Sequence, residues 1–320
     1  MKSEPEVPLH EEFTYVYGLA TQVIKCGPWK DLWKRERAPK ALFLVIPGNP
    51  GLPGYYRSFL KALYSCLNRQ YPIWVVGHAG HCKVPHGMKM IEETDVNKLD
   101  DGFGLRGQIE HKLSFIRKNV PKDVKLVLIG HSIGAYMIIE MLKRARDVEI
   151  IRGLLLFPTV ERIAESPQGK IMTPVLSWFR YPLYILSYLV WILPDRIKHF
   201  LLRLVSSTLL HADESALAAT IDFLTVNCVA NAMYMGHQEM NEVTERDNTA
   251  IRKHLKKLTF YYGSEDRWCP RQYYEEMKRD FPNGDIRLCE KGFRHAFVLD
   301  SSEEMAADLA DWMRDDLARL

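Results

Sequence analysis

The stretch "KLVLIGHSIGAYMIIEMLKRAR" limits what this chain can fold into more than any other. It runs an apolar strand candidate, Val124–Gly130, directly into a helix candidate, Ile133–Arg146, with Gly130-His131-Ser132-Ile133-Gly134 at the junction. A bare G-x-S-x-G is common by chance. Between a strand and a long helix it has a physical reading. A sharp strand-to-helix turn lifts the serine oxygen out at the carboxyl end of a sheet. The turn strains the backbone at the serine, and glycines two before and two after keep Cβ atoms out of the crowded space. A serine exposed in this way becomes a nucleophile when a base takes its proton. The amide of Ile133, which opens the helix, is free to donate to an oxyanion.

The remaining sequence repeats the alternation. "ALFLVI" (Ala41–Ile46), "IWVVG" (Ile73–Gly77), "RGLLLF" (Arg152–Phe157) and "LTFYYG" (Leu258–Gly263) are short apolar runs bounded by Gly or Pro, and "DIRLCE" (Asp285–Glu290) is a weaker one. Continuous apolar strands imply a sheet buried on both faces. Helical periodicity falls at Gly107–Asn119, Arg271–Phe281 and Ser302–Leu320. Strand then helix, repeated, predicts a mostly parallel α/β sheet flanked by helices. The interval 159–256 interrupts the pattern and is far longer than an ordinary connection. The expected plan is a core from 1–158 and 257–320, with an insertion at 159–256.

A serine at such a turn needs an acid and then a histidine later in the chain. "KLTFYYGSEDRWCP" offers Asp266, with Glu265 as its competitor, in the loop after a strand. "CEKGFRHAF" offers His295 in the loop before the C-terminal helix. The expected roles are Ser132 nucleophile, His295 general base and acid, and Asp266 orienting His295. A second oxyanion donor is expected from "VIPGNPGLPGYY", where Gly48, Gly51 and Gly54 allow close approach and Asn49 supplies its amide. No Gly-Lys-Ser/Thr follows, which sets a phosphate loop aside. His78 and His81 in "GHAGH" have no third ligand nearby, so neither a metal nor another cofactor is expected.

Charge excludes other classes. The 320 residues carry 43 basic and 40 acidic side chains, net +3, without a basic block, so nucleic acid is not an expected partner. The acidic start "MKSEPEVPLHEEF" lacks the apolar core of a signal peptide. The six cysteines are scattered, with no C-x-x-C pair, and read as reduced thiols in a cytosol-facing protein.

These residues resemble the α/β-hydrolase superfamily, and more closely the lipid droplet-associated hydrolases. The resemblance runs over almost the whole chain, through "LVIPGNPG", "GHAGH", "VKLVLIGHSIGAY", "LLLFPTVERIAESPQGKIMTPVLSWFRY", "KLTFYYGSEDRWCP" and "FPNGDIRLCEKGFRHAF". It implies an α/β-hydrolase fold with a largely helical cap over Ser132, and a serine lipid hydrolase with sterol esters as a substrate class. It also implies a place at lipid droplets and the endoplasmic reticulum, and puts the family's nucleophile, acid and histidine on Ser132, Asp266 and His295. The alternative is a droplet-surface protein that acts through interactions, with weak or vestigial esterase activity.

The cap has an unusual composition. Ile171–Pro194 is 24 residues with one charge, Arg180, and prolines at 174, 182 and 194. A span needs about 20 uninterrupted apolar residues. Two short helices joined near Arg180-Tyr181-Pro182 are expected instead, entering one leaflet and returning. Trp178, Tyr181, Tyr184, Tyr188 and Trp191 are rings suited to headgroup depth. "RIKHFLLRLVSSTLL" (196–210) follows as a basic amphipathic helix, with Ile197, Phe200, Leu201, Leu204 and Val205 on one face. Together with the resemblance, this makes the expected partners a neutral lipid ester and a droplet or reticulum surface met through 171–210. The competing expectation is that these segments pack inward on the core as ordinary cap helices.

Overall fold

The computed structural model describes residues 7–34, 39–92, 101–205 and 213–320. The apolar runs form β3 (Ala41–Ile46), β4 (Ile73–Val76), β5 (Lys125–His131), β6 (Ile150–Leu156), β7 (Leu258–Gly263) and β8 (Asp285–Cys289). All residues of β3, β4 and β7 are buried, as strands covered on both faces must be. With β1 (Leu9–Val16) and β2 (Leu19–Cys26) they form one sheet in the order β1-β2-β4-β3-β5-β6-β7-β8. From β4 to β8 all neighbours are parallel.

The antiparallel β1–β2 hairpin was not among the expected strands. Its turn is Tyr17-Gly18, both at positive φ (52° and 69°), the geometry of a tight two-residue hairpin turn. Polar residues interrupt the apolar run in β2, but their side chains are satisfied. Thr21 Oγ1 lies 2.7 Å from His111 Nε2, Gln22 donates to Glu11, and Lys25 donates to the Lys30 carbonyl at 2.7 Å. α1 (Arg57–Cys66) was also not expected, whereas α2 (Leu105–Asn119), α3 (Ile133–Arg144), α10 (Arg271–Asp280) and α11 (Ser302–Ala318) fall where periodicity placed helices.

The interval after β6 contains α4 (Pro167–Trp178), α5 (Arg180–Trp191), α6 (Asp195–Val205), α7 (Glu214–Phe223), α8 (Val226–Glu242) and α9 (Asn248–His254). The break between the first two is at Phe179, one residue before the expected junction. Pro182 then falls in the first turn of α5, where a missing N–H leaves no helix bond unmade. α9 returns to the core and packs on α3, with Lys143 Nζ 2.9 Å from Asp247. The covering part of the insertion therefore ends near Val243, before the expected boundary at 256. Residues 206–210 of the expected basic helix lie outside the described residues.

Of the fifteen large apolar side chains exposed among the described residues, thirteen lie between Ile171 and Leu201. Phe200 (67% exposed) and its neighbours Ile197 and Leu201 face outward from α6, while Lys198 is buried. This is the reverse of how a helix packs on a soluble core. Among the described residues no single helix is long and apolar enough to cross a membrane.

The junction of β5 and α3 leaves no spare volume. A Cβ on Gly134 would lie 2.2 Å from the Ile46 carbonyl oxygen, and one on Gly130 would lie 2.7 Å from the Gly134 carbonyl. Gly134→Ala is therefore expected to cost at least about 2 kcal/mol. A thermal melt checks this, and the midpoint should fall by several degrees.

Candidate active site

Ser132 sits at φ +54°, ψ −121°, a conformation that side-chain-bearing residues rarely adopt. The strained residue is held from both sides. Its amide donates to the Leu156 carbonyl of β6 at 3.0 Å, and its carbonyl accepts from Ala135 at 3.0 Å. The hydroxyl is thereby aimed at the loop after β8. There His295 Nε2 lies 2.9 Å from Ser132 Oγ. On the other side of the ring, His295 Nδ1 lies 2.7 Å from Asp266 Oδ2. The two bonds fix the ring orientation. Nδ1–H donates to the carboxylate, which leaves the Nε2 lone pair toward the serine.

Asp266 is buried in the turn after β7 and takes the hydrogen bond from His295, whereas Glu265 is exposed. The Asp266 carboxylate accepts from the Trp268 amide at 2.7 Å, the Cys269 amide at 3.2 Å and the Cys269 thiol at 3.1 Å. Burial pushes its pKa up. His295 and these donors outweigh that and hold it below the ordinary carboxylate range. Cys269 has no signature in the sequence beyond its place three residues after the acid. Asp266, Cys269 and His295 also place three possible metal-ligand atoms within 4.8 Å of one another. Each atom is already engaged in the hydrogen bonds just described.

Asn49 reaches the site from the loop after β3. A Cβ on Gly48 would lie 3.1 Å from Ser132 Cβ, so this loop runs against the serine. The Asn49 side chain is turned away into the insertion, where Nδ2 donates to the Ala232 carbonyl and to Glu239 Oε1, both at 2.8 Å. That leaves the backbone amide as the donor this residue can offer. Ile133 stands at the first position of α3, where an amide has no partner within the helix. His78 and His81 brace the same loop. His81 Nδ1 accepts from the Gly51 amide at 3.0 Å, and a Cβ on Gly51 would strike the His78 ring at 2.2 Å. Burial and the nearby Lys112 push His81 down to about 3, so it accepts as a neutral ring.

Two chambers meet at Ser132 and His295. The larger, about 400 Å³, opens toward Leu202, Leu217 and Phe223. The smaller, about 210 Å³, is lined by Met172, Leu176, Met233 and Met240, with the carboxyl of Glu239 among them. Sequence reasoning did not single out Glu239. A lone acid in a helix reads as a solvated surface residue until the fold buries it.

The site lies on a fold shared with several solved hydrolases. The chain superposes on an epoxide hydrolase from Vigna radiata with a TM-score of 0.63, at 15% identity over 96% of this chain and 98% of that one. It superposes on a haloalkane dehalogenase from Bradyrhizobium elkani with a TM-score of 0.61, at 13% identity over 98% and 100%. At these identities the likeness establishes an α/β-hydrolase fold and nothing finer. The family model described as lipid-droplet associated hydrolase matches residues 39–298. The chain belongs to the lipid droplet-associated hydrolase family. It is 60% identical to the lipid droplet-associated hydrolase of Gallus gallus over 99% of both chains, and 50% identical to that of Homo sapiens over 98% of both. The likeness extends to the Drosophila melanogaster lipid droplet-associated hydrolase, at 34% identity over 96% of this chain and 98% of that one.

Burial pushes the Glu239 carboxyl up to about 8, against a partial opposing effect of the Asn49 amide. The folded protein thus keeps a proton that the unfolded chain loses near pH 4.3. Between these values the folded state binds more protons, so this residue lowers stability as pH rises from about 4.3 to about 8. Glu239→Gln keeps an acceptor for Asn49 and cannot ionise. Urea titrations from pH 5 to 9 are expected to show the variant gaining on the wild type by a few kcal/mol, with the gain levelling off above about pH 8.

Proposed function

We propose that this chain is a serine hydrolase of neutral lipid esters that works at the lipid droplet surface. The observation that carries the reading is the pair of hydrogen bonds joining Ser132, His295 and Asp266 where two largely apolar chambers meet. His295 Nε2 takes the Ser132 proton as Oγ attacks the ester carbonyl. Asp266, accepting from Nδ1–H, stabilises the imidazolium that forms. The carbonyl oxygen becomes an oxyanion facing the Ile133 and Asn49 amides. His295 returns the proton to the leaving alcohol, which leaves the acyl group on Ser132. Water, deprotonated by the same nitrogen, then releases the acid and restores the serine. Two chambers suit an ester with two apolar arms, the longer arm taking the larger space. Sterol esters are the substrate class implied by the family resemblance.

The outward-facing apolar side chains of α4–α6 support the location. The relatives are named for lipid droplets. A droplet carries a single phospholipid layer over neutral lipid, and a bent helix pair enters one layer without crossing it. Trp178, Tyr181, Tyr188 and Trp191 supply rings for the headgroup region. On this reading the surface of α4–α6 meets the cytosolic face of a droplet or of the endoplasmic reticulum and holds the chambers against the source of substrate. The same exposed surface favours a second reading, in which the protein acts at droplets mainly through interactions. That reading wins if Ser132→Ala restores every lipid effect of the wild type in cells lacking the protein.

Labelling with a fluorophosphonate tests the chemistry. The wild type should label at Ser132, and Ser132→Ala should not. An unlabelled wild type beside control hydrolases that do label contradicts the proposal. The anchor is tested separately with Ile185→Glu, Leu189→Glu and Phe200→Glu combined. All three side chains are exposed, so the fold should survive. Flotation with phosphatidylcholine-coated triolein droplets should show the variant binding at least about 100-fold more weakly. Binding equal to the wild type rejects this surface.

A further inference from the structure

His131, the residue before the nucleophile, has no part in the chemistry just described. Its ring is nonetheless fully engaged. Nε2 lies 2.8 Å from the backbone carbonyl of His295, and Nδ1 lies 2.8 Å from the Tyr56 hydroxyl. The Tyr56 oxygen in turn accepts from the Gly48 amide at 2.9 Å. Only one set of proton positions fits. A carbonyl can only accept, so Nε2 carries the hydrogen. Nδ1 of a neutral ring must then accept, so Tyr56 donates. Its oxygen is left to take the Gly48 N–H. Each donor has one acceptor along the path Gly48 to Tyr56 to His131 to His295. The path is dry, with Tyr56 2% exposed, His131 6% exposed, and the rings of Phe157 and Phe297 packed beside His131.

The two ends of this path are the two parts of the site that must be placed relative to Ser132. Gly48 precedes Asn49 on the oxyanion loop, and His295 carries the base. We infer that His131 and Tyr56 are positioning residues that tie the oxyanion loop to the His295 loop, so that oxyanion donor and general base are held in one geometry around Ser132. The inference rests on the serine hydrolase reading above. The His131 ring stays neutral, since burial and the neighbouring His295 push it down to about 3, and the relay therefore persists across the working pH range. Burial likewise pushes the Tyr56 phenol up, so it keeps its donating hydrogen.

The test uses the full chain and a soluble p-nitrophenyl ester, with each variant confirmed folded by circular dichroism. Tyr56→Phe removes one oxygen. Tyr56→Phe and His131→Leu should each lower kcat by about 10- to 100-fold, with KM within about twofold of wild type. The double variant should fall no further than the weaker single, because both remove the same connection. His131→Gln, whose amide offers one donor and one acceptor, should recover most of the kcat lost in His131→Leu. A folded Tyr56→Phe with wild-type kcat, additive losses in the double variant, or no recovery in His131→Gln overturns the inference. A second readout needs no turnover. Nitrogen-15 NMR of the imidazoles should show His131 neutral with its hydrogen on Nε2 from pH 5 to 8, and an Nδ1–H or cationic ring overturns the relay outright. A wild type without turnover but with the expected His131 tautomer would instead count against the hydrolase reading.

Discussion

The close approach of α3 to β3 is the contact on which the rest of the site depends. Gly134 lies so near the Ile46 carbonyl that any side chain there would overlap it. Only with the helix seated that deeply can Ser132 be lifted, at φ +54°, above the carboxyl edge of the sheet. The strain, of order 1–3 kcal/mol for such a backbone, is tolerated because the surroundings fix it. Ile133 is fully buried beneath the turn, and the Ser132 amide is bound to β6. Remove the close packing and the serine has no reason to remain in this conformation. His295 and Asp266 would then face an empty position.

Much of this was legible in the sequence because the elements involved are short, apolar and punctuated by glycine and proline. β7 lies where "LTFYYG" predicted it, and Asp266 and His295 fall in the loops after β7 and β8. What was not legible falls into two kinds. The β1–β2 hairpin was missed because β2 buries Thr21, Gln22 and Lys25, whose polar atoms are matched by His111, Glu11 and the Lys30 carbonyl. Periodicity detects apolar faces, and a buried polar residue with a satisfied partner looks like a break. Glu239, Cys269, Tyr56 and His131 were missed for a related reason. Each acts through a hydrogen bond whose other end is set by the fold, and no spacing rule announces it.

The insertion has two faces. Its inner side closes two chambers over Ser132 and grips the loop after β3 through Asn49 Nδ2, which donates to the Ala232 carbonyl and to Glu239. Its outer side leaves Trp178, Phe179, Ile185 and Phe200 uncovered. α4 and α5 both pack on α8, the helix that carries Glu239. Whatever covers the outer side therefore lies one helix layer from the loop that Asn49 belongs to. On the function proposed above, that covering is a lipid surface meeting these exposed apolar rings and side chains.

On the proposed function, Ser132 attacks an ester carbonyl whose oxygen is received by the Ile133 and Asn49 amides. A crystal structure of the chain reacted with a long-chain alkyl phosphonate decides the matter. Phosphorus should be bonded to Ser132 Oγ, with the phosphoryl oxygen about 2.7–3.1 Å from both amide nitrogens and the alkyl chain in the larger chamber. Phosphorus on another residue, or a phosphoryl oxygen turned away from both amides, rules this mechanism out.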